Sequence, residues 1–355
     1  MAFLKSLFAA KKAKFVEVQP FAARFEVPAG ETVLEAALKA GVDFPHNCTV
    51  GTCGSCKCKL KSGRVNALTD FGYTLSQQEI AAGFILACQA IPRDELTELE
   101  VEVQAGSTPV ATYQGRIVAN DPLTHDIVRI GIELDRPLQF VAGQYANLKT
   151  ADIERARNYS FADAPAAEGL KTVNFFIRKV PGGAFTEALF AGKLAQAAIE
   201  VEAPHGNFHL HESRGPMVCI AGGSGLAPLL SLLEDASRRR VERPCAMLFG
   251  ARTQADLYCV DQINAIAKNW AGKFVFLPVL SHEAADGSWT GARGLVTQFI
   301  TDAMPGIDWA SAEGYMCGPP GMIDAGIASM TEVGMKLDAI FYDKFTDQSH
   351  IAKMP

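Results

Sequence analysis

Cys48, Cys53 and Cys56 form a C-x4-C-x2-C run, and Cys88 follows in a later segment. Thiolates are soft ligands, and this spacing is the plant-type pattern for a [2Fe-2S] cluster. Gly51 and Gly54 supply a tight loop in which backbone amides approach the sulfurs and tune them. A zinc knuckle or four merely buried cysteines is the competing reading, but zinc usually takes two short C-x2-C pairs and this stretch holds one. A Rieske centre needs two histidine ligands, and His46, the one histidine nearby, stands outside the cysteine spacing. Cys58 reads as a small buried strand residue, with a spare ligand as its alternative. Nine cysteines is an odd number, and the crowding of five of them into one stretch argues for metal binding over disulfides.

Two further stretches can hold phosphates. In Arg157-Asn158-Tyr159-Ser160, Arg offers a planar fork to a phosphate, Tyr a stacking face and Ser a hydroxyl for a flavin ring. Downstream, Pro181-Gly182-Gly183-Ala184-Phe185-Thr186 opens a helical stretch whose free amides suit a pyrophosphate. Either motif alone also reads as an ordinary strand end or an ordinary helix start; the ordered pair is more specific. Ala142-Gly143-Gln144-Tyr145 reads as a structural turn feeding a strand. Further on, Cys219 to Pro228 runs from a buried strand through Gly222, Gly223, Ser224 and Gly225 into a helix, where a dinucleotide can rest on amides. Cys317-Gly318-Pro319-Pro320-Gly321-Met322 repeats that strand-to-loop pattern. Arg252 and Asp256 end another strand, either beside an adenine ribose or as a surface ion pair. Arg238-Arg239-Arg240 offers a 2′-phosphate site or, the preferred reading, charges complementing a helix C-terminus. Cys317 is a small polarisable group near that chemistry or a buried strand residue.

The elements that must position these groups divide the chain. Residues 15–104 alternate apolar and polar in short runs around a helical stretch at Thr32 to Ala40, a small α+β domain. Residues 105–111 combine Gly, Ser, Thr and Pro without periodicity and read as a linker. Residues 112–212 hold several strands and one helix, consistent with a small antiparallel barrel. Residues 213–355 alternate buried strands with helices, a doubly wound parallel sheet. The fold class is therefore multidomain, α+β followed by α/β.

Composition limits the partners. The 355 residues, 48% hydrophobic and 20% charged, are globular, and a net charge of −6 offers no basic field for a nucleic-acid backbone. The uncharged run Gly215 to Leu233 is long enough for a membrane span, but its glycines and Pro228 break it into strand, turn and helix. Residues 1–14 form a basic amphipathic extension without a secretory pattern, which points to the cytoplasm. Phe3, Leu4, Leu7 and Phe8 share a helical face ringed by lysines, so this segment reads as a frayed terminus or as a peripheral contact with the inner face of the cell membrane. Residues 15–104 carry twelve acids against seven bases, a surface suited to a basic patch on a partner or merely a solvated face.

These residues together resemble the oxygenase reductase family, in which a plant-type ferredoxin domain precedes a ferredoxin-NADP reductase-like pair of domains. The resemblance covers residues 15–355, and FPHNCTVGTCGSCKCKL, SGRVN, GARTQADLY and CGPPGM are most similar to the xylene monooxygenase type. It implies a β-grasp [2Fe-2S] domain, an FAD barrel and an NAD domain. It further implies that Arg157, Tyr159 and Ser160 hold FAD, Gly182 to Thr186 its pyrophosphate, and Gly222 to Gly225 with Cys317 and Gly318 the NADH. In the closing stretch Phe341 to Phe345, Phe345 would cover the flavin until nicotinamide displaces it, and many relatives have Glu where this chain has Asp343. NADH surrenders two electrons as a hydride while a [2Fe-2S] cluster accepts one, so the implied activity is two-to-one electron conversion toward an oxygenase component. A membrane-bound diiron hydroxylase is the acceptor that the xylene-type likeness implies. A soluble Rieske or diiron oxygenase, a one-electron dehydratase, and a non-catalytic redox sensor stay open as alternatives.

Overall fold

A computed structural model describes residues 13–42, 44–46, 51, 54–101, 108–151 and 153–345. The chain divides between residues 105 and 106 into two compact units.

In the first unit, β1 (Lys14–Gln19) and β2 (Ala23–Val27) form an antiparallel hairpin. The helix α1 (Val33–Lys39) follows, its start fixed by a capping box in which the Thr32 hydroxyl accepts from the Glu35 amide and Glu35 accepts from the Thr32 amide. Its buried face, Val33, Leu34, Ala36 and Ala37, joins the core with Val16, Val18 and Phe44. Next come β3 (Lys57–Ser62), β4 (Val65–Ala67), α2 (Gln77–Ala81), β5 (Phe84–Leu86), β6 (Ala90–Pro92) and β7 (Leu96–Glu100). The sheet order is β2-β1-β7-β3-β5, with β1 and β7 parallel at its centre, and β4 pairs with β6 apart from it. Strand alternation turns Thr97 and Leu99 of β7 inward and leaves its acids outside. This is the expected β-grasp arrangement.

The second unit begins at β8 (Ala111–Pro122) and β9 (Ile127–Leu138), followed by β10 (Tyr145–Thr150), β11 (Ile153–Ser160), β12 (Leu170–Arg178), α3 (Ala184–Phe190) and β13 (Ala198–His205). These strands form an antiparallel sheet of order β11-β10-β13-β8-β9-β12, and a bridge between Phe161 and Phe175 joins its two ends into a barrel. Phe161, Phe175, Ile130, Ile132 and Val201 fill the interior. Gly143 stands at φ +99°, and a side chain there would lie 2.5 Å from the Phe208 carbonyl. The Gln144 amide group, bonded to Gly206 and Val141, completes that turn, so it is structural as expected.

The parallel half comprises β14 (Met217–Gly222), α4 (Leu226–Arg238), β15 (Cys245–Ala251), α5 (Val260–Asn269), β16 (Phe274–Leu280), β17 (Ala292–Arg293), α6 (Ile300–Ala303), β18 (Glu313–Gly318), α7 (Pro320–Glu332) and β19 (Ile340–Lys344). Its order is β17-β16-β15-β14-β18-β19, all parallel. Every residue of β14 is buried because both faces are covered: Cys219 and Ala221 pack with α4 and α5, while Val218 and Ile220 pack with α7. That double cover accounts for the long uncharged run, and among the described residues no helix is long and apolar enough to cross a membrane. Buried Arg243 bonds Gly215, His211 and Glu313, and Tyr315 donates to the same Glu313, which fastens the strand ends to the segment arriving from the barrel.

Barrel and parallel sheet together make up the second compact unit. Ile127, Ala162, Phe176 and Phe208 of the barrel share a core with α4 and Tyr258, whose ring meets Phe176 edge-on at 5.4 Å. Residues 105–107 of the expected linker and residues 1–12 of the extension lie outside the described residues; Ala111 already belongs to β8 and Lys14 to β1.

Candidate redox-cofactor sites

Of the four cysteines expected to hold the cluster, Cys48 and Cys53 lie outside the described residues. Cys56 precedes β3, and Cys88 lies in the 3-10 turn Ala87–Gln89 between β5 and β6. Both are buried, 3% and 4% exposed, and the Cys88 amide donates to the Cys56 sulfur at 3.4 Å. Two buried thiols with amides aimed at sulfur suit iron better than water, so the residues present fit the cluster. Cys58 is buried within β3 and its thiol is pushed well up, first by burial and then by Cys56, as befits a packing residue.

Gln89, which the sequence reading passed over, donates its side-chain amide to the Cys88 carbonyl at 2.9 Å and to the Cys88 sulfur at 3.7 Å. The Thr69 hydroxyl, donating to the Gln89 side-chain oxygen at 3.1 Å, fixes that amide's orientation. Gly51, at φ +83°, leaves the room: a Cβ there would stand 2.7 Å from Gln89 Cγ. A donor on a ligand sulfur favours the more negative, reduced cluster. Gln89→Leu should lower the cluster's potential by on the order of tens of millivolts, read by redox titration of its visible absorbance.

On β11, alternation sends Arg157 and Tyr159 to one face and Asn158 and Ser160 to the other. Tyr159 packs against the barrel core with its ring 5.6 Å from Phe185, and burial pushes its phenol up. Ser160 is buried at the strand end, Asn158 is exposed, and Arg157 donates to the Ala156 carbonyl. The helix α3 starts after Gly183 without a side-chain cap, which leaves its first amides to an anion. Gly182 stands at φ +74° with open space where a Cβ would project, so a ligand can approach that backbone closely. Thr186 shapes this loop from within: its hydroxyl accepts from the Val180 amide and lies within bonding distance of the Val180 and Gly183 carbonyls. An aromatic face, an arginine and a capless turn on one rim fit FAD.

The two glycine turns of the parallel half meet. A Cβ on Gly225 would fall 2.2 Å from the Cys317 carbonyl, and one on Gly222 would fall 2.7 Å from Met322 Sδ. Gly318, at φ +150°, sits 3.1 Å from Gly222 by the same measure. Strands β14 and β18 are neighbours at the point where the strand order reverses, the crevice in which such sheets bind ligands. A cleft of about 220 Å³ opens there, lined by Gly222, Gly223, Arg252, Asp256, Ser281 and Pro319, with Asp126 and Arg178 contributed by the barrel. Ser224 is half-buried in the turn and the N-terminus of α4 has no side-chain cap. The cleft fits a dinucleotide. Arg252 and Asp256 line it and lie within 3.5 Å of each other, an ion pair at the cleft itself. Arg238 and Arg239 are bound to Glu234 and Asp235 of α4 itself, which favours the helix-end reading of the arginine run.

Cys317 is fully buried beneath the turn, its thiol pushed well up by burial and by Asp343, the residue beside it on β19. The Phe345 amide donates to the Gly318 carbonyl at 2.8 Å, so the end of β19 is tied to the nucleotide turn. Burial pushes the Asp343 carboxyl up to about 7. A carboxyl raised above its unfolded value near ~4 contributes stability at low pH that is lost as pH climbs toward about 7. Asp343→Asn should flatten that decline in thermal unfolding measured from pH 5 to 8, whereas an unaltered decline would place the titration elsewhere.

Comparison with known proteins agrees with this geometry. Residues 16–93 match the 2Fe-2S iron-sulfur cluster binding domain, 114–210 the oxidoreductase FAD-binding domain and 219–326 the oxidoreductase NAD-binding domain. The chain is 40% identical over 343 residues to the xylene/toluene monooxygenase electron transfer component of Pseudomonas putida, covering 96% of each. It is 37% identical to the reductase subunit of an aromatic O-demethylase from an Amycolatopsis species, covering 92% of this chain and 97% of that one. Among solved structures, an Amycolatopsis cytochrome P450 reductase superposes with a TM-score of 0.71 at 35% identity, covering 94% of this chain and 99% of the other. Sequence, fold and relatives converge: the chain belongs to the family of NADH-dependent iron-sulfur flavoprotein reductases, the electron transfer components of oxygenase systems.

Proposed function

We propose that this chain serves the oxygenase component of a system hydroxylating aromatic hydrocarbons, with a membrane-bound diiron enzyme as its acceptor. The observation that carries this reading is the 40% identity, end to end, with a xylene/toluene monooxygenase component. When bound, FAD takes a hydride's two electrons from NADH and releases them singly to the [2Fe-2S] cluster. The chain's residues supply position. Arg157 and the first amides of α3 hold the flavin's phosphates, Tyr159 backs its ring and Ser160 reaches its edge. The turn Gly222–Gly225, backed by Cys317 and Gly318 and followed by Pro319, seats the nicotinamide dinucleotide. Phe345 and Asp343, at the end of β19, border the place where nicotinamide meets flavin. Cys48, Cys53, Cys56 and Cys88 hold the cluster. The acidic surface of residues 15–104 suits a basic patch on the acceptor, and residues 1–14 suit a peripheral contact with the membrane that holds it.

The test is a pull-down from native cells with the full cofactor-loaded chain as bait, membrane and soluble fractions kept apart. A histidine-rich integral membrane protein that hydroxylates an aromatic hydrocarbon when NADH and this chain are added supports the reading. Retention of a soluble Rieske or diiron oxygenase, or of a dehydratase, overturns it.

A further inference from the structure

Asp126 lies at the tip of the hairpin joining β8 and β9, within the barrel, yet it lines the dinucleotide cleft. Its Oδ2 accepts from Arg178 Nε at 3.0 Å and from an Arg252 terminal nitrogen at 3.0 Å. Arg178 ends β12, and its Nη1 would stand 3.6 Å from a Cβ on Gly223, so it overhangs the glycine turn. Arg252 follows the end of β15 and also lies 3.5 Å from Asp256 and 3.2 Å from His125. His125 in turn is 3.2 Å from Asp256. Two guanidiniums therefore face two carboxylates, and the cluster is formally neutral while His125 is neutral. With two arginines on the same carboxylates, the group is a poor seat for a metal cation.

Both arginines are nearly half exposed, 44% and 45%, and so are reachable from the cleft. An isolated ion pair at such exposure is weak. A pyrophosphate brings two negative charges and several acceptors that match guanidinium forks, so it can displace one carboxylate.

We propose that Asp126 is an internal stand-in for the dinucleotide's pyrophosphate: it holds Arg178 and Arg252 across the cleft until NADH takes them over. This rests on the reductase reading and names a residue that tunes nucleotide affinity from outside the nucleotide fold. Asp126 acts through the arginines and is a positioning residue. Burial works against its charge, but Arg178 and the Thr124 hydroxyl outweigh that and hold the carboxyl below the usual range.

Asp126→Asn isolates the charge, because the remaining side-chain oxygen still accepts from Thr124, which bonds Oδ1 at 3.1 Å. In anaerobic stopped-flow titration of the FAD- and cluster-loaded chain, Asp126→Asn should lower the Kd for NADH by about fivefold while leaving the limiting rate of flavin reduction within about twofold. The gain should fade with added salt and should shrink in an Arg252→Gln background. Calorimetric binding of ADP-ribose, which carries the pyrophosphate but no nicotinamide, should tighten in parallel. An unchanged or raised Kd for both ligands in Asp126→Asn overturns the proposal and reduces the residue to a tie between hairpin and sheet. If NADH fails to reduce the unaltered protein, the reductase reading falls instead, while ADP-ribose still reads the Asp126 effect.

Discussion

Cys88→Ser should cut one-electron delivery to cytochrome c or to the oxygenase acceptor by on the order of a hundredfold, while NADH reduction of the flavin continues. Cys88 is 4% exposed in a short turn, and its amide contacts the Cys56 sulfur. Serine fills the space but presents a hard hydroxyl that is a poor ligand for iron. The Gln89 amide would then face a neutral oxygen instead of a thiolate, and the compensation that keeps buried charge at the site would vanish. The damage should stay in the first unit. Among the described residues its core, built from Val16, Val18, Leu34, Leu86 and Leu99, shares no residue with the barrel core or with the core beneath the glycine turns. Three readouts check this: loss of the cluster's visible and EPR signals, retained ferricyanide turnover with NADH, and collapsed cytochrome c turnover. If both turnovers fall together, Cys88 supports the fold of the whole chain and not the cluster alone.

The sites became visible in the sequence to different degrees, for physical reasons. A cluster needs its thiols at fixed intervals along a loop, so Cys48, Cys53, Cys56 and Cys88 announce themselves by spacing. The glycine turns are legible because tight packing leaves no room for a side chain, against backbone at Gly225 and against the Met322 side chain and Pro319 ring at Gly222. Asp126 has no such mark. It reaches Arg178 across 52 positions and Arg252 across 126, and only the closure of the barrel and its packing on α4 bring them together. Gln89 differs, since it directly follows Cys88, an expected cluster ligand, and a buried amide next to a thiolate could have been suspected. The packing of the barrel on the parallel half is hidden for a related reason: Ile127, Phe176 and Phe208 have ordinary strand-type patterning, which does not reveal that they pack on another sheet's helix. The pull of burial on Asp343 is likewise a product of tertiary structure, because β18 and β19 meet only after α7 returns the chain.

Gly225→Ala should destabilise the second unit by about 3 kcal/mol and weaken NADH binding by about tenfold. The backbone at Gly225 has φ −62°, which alanine adopts freely, so conformational strain is not the cause. The cause is contact: the new methyl would stand 2.2 Å from the Cys317 carbonyl oxygen, 2.4 Å from its carbon and 2.7 Å from the Gly318 nitrogen. All three atoms are backbone, and Cys317 is locked into hydrogen-bonded ladders with β14 on one side and β19 on the other. Relief requires α4 to move away from β18, and that movement opens the crevice proposed to seat the dinucleotide. Gly321→Ala is the matched control, in the first turn of α7 on the far side of the Cys317–Gly318 turn. A Cβ there meets nothing within 4 Å, so that substitution should be neutral or gain up to about 1 kcal/mol from helix propensity. Urea unfolding of both FAD-loaded variants, with NADH titration alongside, separates the effects. Equal stability of the two variants would mean that the β14–α4 turn and the end of β18 do not press on each other in solution, and the shared seat for the dinucleotide would lose its physical basis.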